Sequence, residues 1–405
     1  MKIALIDNMN NNFFSFARYL RDLGQDAHLF IMPNMDKHFL PENDTFMDLS
    51  TVDWIHTWPF SVPKDWYFFC MFGKEKIRKL LSGYDLIVAC GYALSYLAKA
   101  NITVDVAIPY GSDIYDLTKY RQLCFAPTKL VQLLKDVTIN QLVPYQIKAF
   151  QDAKVVAVNT EDNEQFKVLK DDFGVQAQDL GIPMIYLEQR QVCQNYQWLK
   201  SHDFVLMSHA RHFWSVEQTK GKFSSDIKNN DRLIRAFAKF IKQTNFTKPI
   251  LILFEYGPDV ENSKSLIHEL GIEAQVHWMN IMPRKEILHL LEYVHLGADQ
   301  FLKGLCGIGG VVLEFFAKGV PVLTYGNGGI QNKKSFYHNA PIIEVLTETE
   351  ILSALLEYEQ DPQKYQALSK ASLDWFNKKV GVNLVKNYLA LFETLVINKG
   401  NKKAA

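Results

Sequence analysis

Short runs of β-branched and apolar residues alternate from end to end with stretches whose apolar residues recur at helical spacing. Such alternation is the pattern of an α/β chain with parallel sheets, because each buried strand must be followed by a helix that covers it and returns the chain. In the first half the expected strands are Lys2–Ile6, Ala27–Ile31, Leu86–Cys90, Val104–Ile108 and Val155–Val158. A helix over Phe13–Leu23 ends at Gly24, a natural C-cap. In the second half they are Phe204–Met207, Pro249–Phe254, Gln275–Trp278, Gly297–Phe301 and Val320–Thr324. The helices between them are expected over Asp231–Gln243, Ser263–Leu270, Arg284–Tyr293 and Val311–Lys318. The polar stretch Glu188–His202 separates the two series. The expectation is two Rossmann-like domains facing across a cleft, one over 1–187 and one over 203–375. Residues 376–405 form a helix and tail that pack back on the first domain, with Asn398–Ala405 frayed. Ligands then belong at the carboxyl ends of the strands.

The 44 Lys and Arg balance 44 Asp and Glu, so the charge footprint of a nucleic-acid binder is missing. With 48% apolar residues, wholesale disorder is excluded as well. Cys70, Cys90, Cys124, Cys193 and Cys306 stand singly, which fits a reducing cytoplasm and neither a zinc ribbon nor a disulfide scaffold. The first apolar run meets Asp7 too early for a signal peptide, and Leu86–Ala98, read as the longest mostly apolar stretch, is too short to span a bilayer. His209 and His212 are three residues apart but lack a third ligand, so no metal is expected.

Chemistry concentrates in Cys306-Gly307-Ile-Gly309-Gly310-Val311-Val-Leu-Glu314, followed by Gly319-Val-Pro321-Val. The glycines let backbone approach a ligand closely, and a helix starting near Val311 points its open N–H groups at an anion or a sugar hydroxyl. Glu314 interrupts an apolar helix, where an unpaired carboxylate is costly and a ligand hydroxyl would be a partner.

These residues resemble the GT-B-fold retaining glycosyltransferases similar to family 4, whose signature is an acid, Gly-aromatic-Gly, three apolar residues, Leu-Glu-Ala, then Gly-x-Pro-Val. Glu314 and Gly319-Val-Pro321-Val match, and Cys306 occupies the place of the first acid. The resemblance implies that Glu314 meets the nucleotide ribose and Cys306 the donor sugar. Phe204–Arg211 looks like the family's strand ending in Gly-Arg, and Lys228-Asn-Asn-Asp231-Arg-Leu-Ile like its Lys-Gly-x-Asp-x-Leu-Ile. It makes Arg211 and Lys228 the cations that neutralise the donor diphosphate. Lys220-Gly221 has the same dipeptide without the downstream residues. Gly257-Pro258 resembles the family's strand followed by Gly-x-Gly-Pro on the donor side, and the segment Trp278 to Met282, with Asn280, its loop against the nucleotide base.

On the acceptor side, Asn10, Asn11 and Asn12 stand where the family is often glycine-rich, either as amide donors or as a plain turn. Tyr110-Gly111-Ser-Asp113 stands where relatives carry His-Gly. Asp113 either accepts from an acceptor hydroxyl or caps the following turn. The basic stretches Gly73–Lys79 and Lys119–Lys148 are solvated helix faces, or contacts to anionic lipid or to a phosphate-bearing acceptor. The resemblance implies a metal-independent, cofactor-free transferase that uses a nucleoside-diphosphate sugar and a glycan, lipid-linked or protein acceptor. A catalytically degenerate sugar-nucleotide-binding subunit and a GT-B epimerase are the alternatives.

Overall fold

The structure, a computed structural model, describes residues 1–33, 35, 37–58, 73–125, 130–158, 167–188, 195–215, 227–303, 308–326, 328–333 and 335–404. It divides into two compact units, Met1–Tyr186 with Lys378–Ala405, and Leu187–Asn377.

The first unit is built on β1 (Lys2–Ile6), β2 (Asp26–Ile31), β3 (Ile55–Thr57), β4 (Leu86–Ala89), β5 (Val106–Ala107), β6 (Val155–Val158) and β7 (Gln178–Asp179). Their order is β3-β2-β1-β4-β5-β6-β7, with every pair parallel. Alternate side chains feed two cores. Ala4 and Ile6 join the cluster containing α2 (Lys74–Leu81), α3 (Ala93–Lys99) and α5 (Leu130–Asp152), whereas Ile3 and Leu5 join the opposite one under α1 (Asn12–Asp22). A short helix, α4 (Ser112–Tyr115), follows β5.

In the second unit β8 (Phe204–Ser208), β9 (Pro249–Phe254), β10 (Val276–Met279), β11 (Leu296–Ala298), β12 (Val322–Thr324) and β13 (Ile343–Glu344) run in the order β10-β9-β8-β11-β12-β13, again all parallel. Leu206, Leu253, Leu296 and Leu323 share a core with Phe237 of α6 (Asn230–Phe240), Leu266 of α7 (Val260–Leu270) and Leu355 of the later α10 (Glu348–Gln360). Between these helices lie α8 (Arg284–Leu290) and α9 (Gly310–Ala317).

Four expectations change. The expected strand over Gly297–Phe301 stops at Ala298, because the chain turns so that the Phe301 N–H donates to the Lys228 carbonyl at 3.0 Å. The strand expected over Val104–Ile108 contracts to Val106–Ala107, with the buried Asp105 carboxylate accepting the Ile87 N–H at 2.8 Å. The end of the chain is not frayed from Asn398: α11 (Pro362–Lys379) is followed by α12 (Val382–Ala404), whose Lys399 Nζ donates to Asp105 Oδ2 at 2.8 Å. Nor is Leu86–Ala98 the most apolar long stretch. The helical segment Pro362–Asn401 contains an 18-residue window of mean hydropathy 1.4, long and apolar enough by composition to cross a membrane. Here the apolar residues of α12 are used in the core of the first unit, where Phe16 of α1 lies 5.1 Å from the Tyr388 ring and 5.9 Å from that of Phe392, while Tyr365 of α11 joins the core of the second.

Candidate active site

Each strand order reverses once, between β1 and β4 in the first unit and between β8 and β11 in the second. In an open parallel sheet, that reversal leaves a crevice at the carboxyl ends of the two central strands.

In the second unit the crevice is built by the residues that leave β8 and β11. His209 follows β8 directly, and its Nε2 donates to Glu314 Oε2 of α9 at 2.6 Å. Arg284 Nε donates to Glu314 Oε1 at 3.0 Å. Glu314 is therefore paired within the protein itself. The reason is its helix position, which aims it at two donors from other elements. Burial raises its pKa, but the hydrogen bonds and charges of His209 and Arg284 outweigh that and hold the carboxyl below its ordinary range.

Asp299 follows β11 and is fully buried. Burial raises its carboxyl, against the opposing charges of Lys228 and His209. Gly309 approaches so closely that a Cβ there would lie 3.2 Å from Asp299 Oδ2, which sets the start of α9 beside the end of β11. Gly310 and Val311 open that helix. Lys228 enters the same place, its Nζ donating to Gln300 Oε1 at 2.7 Å while its N–H donates to the Phe213 carbonyl at 2.8 Å. Asn229, in left-handed backbone at φ 53°, turns the chain into α6 and donates to the Phe301 carbonyl at 2.8 Å.

The loop after β8 is locked to the loop after β9. His212 N–H donates to the Tyr256 carbonyl at 2.7 Å, and the Arg211 guanidinium carbon lies 5.7 Å from the Tyr256 ring centre. Gly257 has φ +117°, and a Cβ there would lie 2.4 Å from the His212 carbonyl oxygen, so the approach admits only glycine. His212 is buried as a neutral ring, its pKa pushed down to about 4 by desolvation. Its Nδ1 faces Ser263 Oγ at 2.8 Å and its ring packs 5.1 Å from Trp278. Thus His209 and His212 serve different partners. Beyond Trp278, Asn280 is exposed and Met282 half-buried, its Sδ 3.7 Å from the Tyr196 hydroxyl. Cys306 and Gly307, and the alternative Lys220, lie outside the described residues.

In the first unit the crevice is lined by Asp7, Asn8 and the turn at Gly91. Asp113 accepts from the Gly91 N–H at 3.1 Å and from the Tyr110 and Gly111 N–H groups at 2.9 Å, and it is buried. These bonds go to N–H groups that precede α4, which has no side-chain cap; Asp113 ties the ends of β4 and β5 together and has little surface to offer a hydroxyl. Tyr110 packs its ring 6.1 Å from Phe13. Asn11 is a structural turn residue. Its Nδ2 donates to the His38 and Leu40 carbonyls at 3.1 Å, and its Oδ1 accepts from Asn8 at 2.8 Å. Asn12 is buried at the start of α1, and Asn10 is exposed in left-handed backbone at φ 53°.

The sequence reading assigned no role to Arg284, Asp299 or Gln300, and considered His209 only as a metal ligand. A polar residue immediately past a buried strand, as His209 and Asp299 are, is the signal that points to them.

Residues 220–375 match the family model described as glycosyl transferases group 1. No curated protein matches the chain. Among solved structures, Anabaena Alr3699/HepE in complex with UDP is similar over 98% of this chain and 99% of its own, with TM-score 0.58 and 17% identity. Sucrose-phosphate synthase from Thermosynechococcus elongatus is similar over 98% of this chain and 100% of its own, with TM-score 0.54 and 12% identity. A putative UDP-N-acetylglucosamine 2-epimerase from Listeria monocytogenes is similar over 97% and 96%, with TM-score 0.56 and 12% identity. At such identities the likeness is one of fold. Residues 220–375 are thus a glycosyl transferases group 1 domain, the chain has the GT-B fold, and its enzyme class is glycosyltransferase.

Proposed function

We propose that the protein moves a sugar from a nucleoside-diphosphate sugar to an acceptor hydroxyl, with retention, the second unit holding the donor and the first the acceptor. The observation that supports this reading is that Lys228 and the start of α9 both lie at the carboxyl end of β11, with Arg211 three residues past the end of β8. Two cations and the open amides of a helix start suit a diphosphate leaving group. The bond from C1 to the phosphate oxygen breaks as the acceptor oxygen attacks the same face, and a phosphate oxygen takes the acceptor proton. Charge on the departing diphosphate is met by Arg211 and Lys228, so the reading requires neither a protein nucleophile nor a metal or other cofactor. Trp278–Met282 is the candidate base pocket, Gly257 borders the donor, Glu314 meets the ribose through its remaining lone pairs, and Cys306 and Gly307 border the sugar. UDP, bound by the Anabaena neighbour, is the first nucleotide to try. Synthesis of a bacterial surface glycan or glycoconjugate from the cytoplasmic side, with peripheral membrane contact, is the setting we assign.

The test is turnover of UDP-sugars by the purified chain and by Lys228→Ala. The expected loss of kcat is about a hundredfold, as for removal of one preorganised electrostatic contact. A wild-type rate retained by Lys228→Ala would remove that lysine from the site. Product analysis separates transfer from epimerisation, since an epimerase leaves its nucleotide sugar whole.

A further inference from the structure

Seven of the twelve large apolar side chains that the described residues leave exposed lie between Tyr120 and Val137. Phe125 is 80% exposed, Tyr120 68%, Val131 67%, Leu130 59% and Leu134 55%. Leu130, Val131, Leu134 and Val137 fall at helical spacing on one face of α5, whereas Asp136, Thr138, Leu142 and Gln146 are buried. The helix is anchored behind that face. Gln146 Nε2 donates to the Gly91 and Asp113 carbonyls at 3.2 Å, and Ser95 Oγ donates to Gln146 Oε1 at 2.5 Å. The segment before α5 is tied to it as well: Arg121 N–H donates to Asn140 Oδ1 at 2.6 Å, and Asn140 Nδ2 returns a bond to the Arg121 carbonyl at 3.0 Å.

We propose that this surface docks the protein on an anionic lipid bilayer. Among the described residues from Lys119 to Val137 the charge that reaches the surface has one sign. Lys119 and Arg121 are exposed and Lys135 half-buried, while Asp136, the acid among the described residues from Lys119 to Val137, is turned inward and accepts from Gln132 at 2.9 Å. In a chain of zero net charge, a basic apolar face is a local departure that anionic headgroups over an acyl boundary complement. Tyr120 and Phe125 are of the type that settles at that boundary. A second copy laid on the same face would set its cations against these. The patch follows Gly111–Asp113 closely in sequence, so under the transferase reading the acceptor loop lies near the bilayer along the chain and a lipid-borne acceptor is the class it would serve.

The experiment is co-sedimentation of the full chain with vesicles of phosphatidylcholine alone and of equal parts phosphatidylcholine and phosphatidylglycerol. The protein is expected to partition onto the anionic vesicles and to be released by salt. Lys135→Gln should weaken partition about fivefold. Leu130→Asp with Leu134→Asp should weaken it about a hundredfold or more, as expected when two leucines leave the acyl boundary. The melting curve of that double variant should be unchanged, because both side chains are exposed. Donor hydrolysis, measured alongside, should also be unchanged, which separates this proposal from the assignment of the donor site. No partition of the wild type onto anionic vesicles, or equal partition of the double variant, overturns it. So does a wild type that self-associates through this face, shown by a monomeric double variant with no difference in vesicle binding.

Discussion

Glu314 is where residue-level chemistry matters most, because it is held by His209 and Arg284 before any ligand arrives. Glu314→Gln keeps the shape but removes the charge that faces Arg284, and a partly buried cation left with a weaker acceptor costs about 1–3 kcal/mol. The melting temperature of the ligand-free protein should therefore fall, and nucleotide affinity measured by calorimetric titration should fall about tenfold beyond what unfolding explains. A lower melting temperature with intact affinity would make Glu314 a structural clamp. The pH behaviour of Asp7 is a second residue-level test. Buried in left-handed backbone at φ 79°, its carboxyl is pushed up from 3.8 to about 7, chiefly by burial. Between those values the folded protein keeps a proton that the unfolded chain has released. Stability therefore falls as pH rises across that window, by at most about 4 kcal/mol from this group. Asp7→Asn should flatten the fall in urea midpoint between about pH 4 and about pH 7, leaving the contribution of the same sign from Asp113. An unchanged slope would contradict the burial assigned to Asp7.

At the scale of elements, α12 belongs to the first unit through the packing of Tyr388 and Phe392 on Phe16, the bond from the Tyr388 hydroxyl to the Gly181 carbonyl at 2.7 Å, and the Lys399–Asp105 pair. Phe392→Ala should destabilise that unit by about 3–5 kcal/mol, read as a lower urea midpoint, while nucleotide binding by the folded protein is retained. The central strands were legible in the sequence because a buried parallel strand is a continuous apolar run, as in Val155–Val158 and Pro249–Phe254. The edge strands Gln178–Asp179 and Ile343–Glu344 were not, since two partly exposed residues carry no such run. The same contrast governs the site. The spacing of Gly309, Gly310 and Glu314 along one turn and helix is local and readable. The partners of Glu314 lie 105 and 30 residues away, and only the folded sheet brings them together.

Over the whole molecule, the account places donor binding at one crevice of two, in the unit that carries residues 220–375. Both sheets offer a strand-order reversal, and in the second the buried Asp299 is set against the Lys228 cation beside a helix start, whereas in the first the like charge of the buried Asp113 adds to the burial that raises the pKa of Asp7, and the two acids would repel a diphosphate when ionised. A nucleotide at 100 times its dissociation constant stabilises the state it binds by about 2.7 kcal/mol, enough to slow local opening about a hundredfold. Amide hydrogen exchange of the full chain with and without saturating UDP is the direct test. The account predicts slowed exchange at Ser208–Trp214, Lys228–Asn230, Trp278–Met282 and Ile308–Glu314, and little change at Asp7–Asn12 and Tyr110–Asp113. Protection confined to the first unit, or none anywhere under conditions where UDP binds, would contradict it.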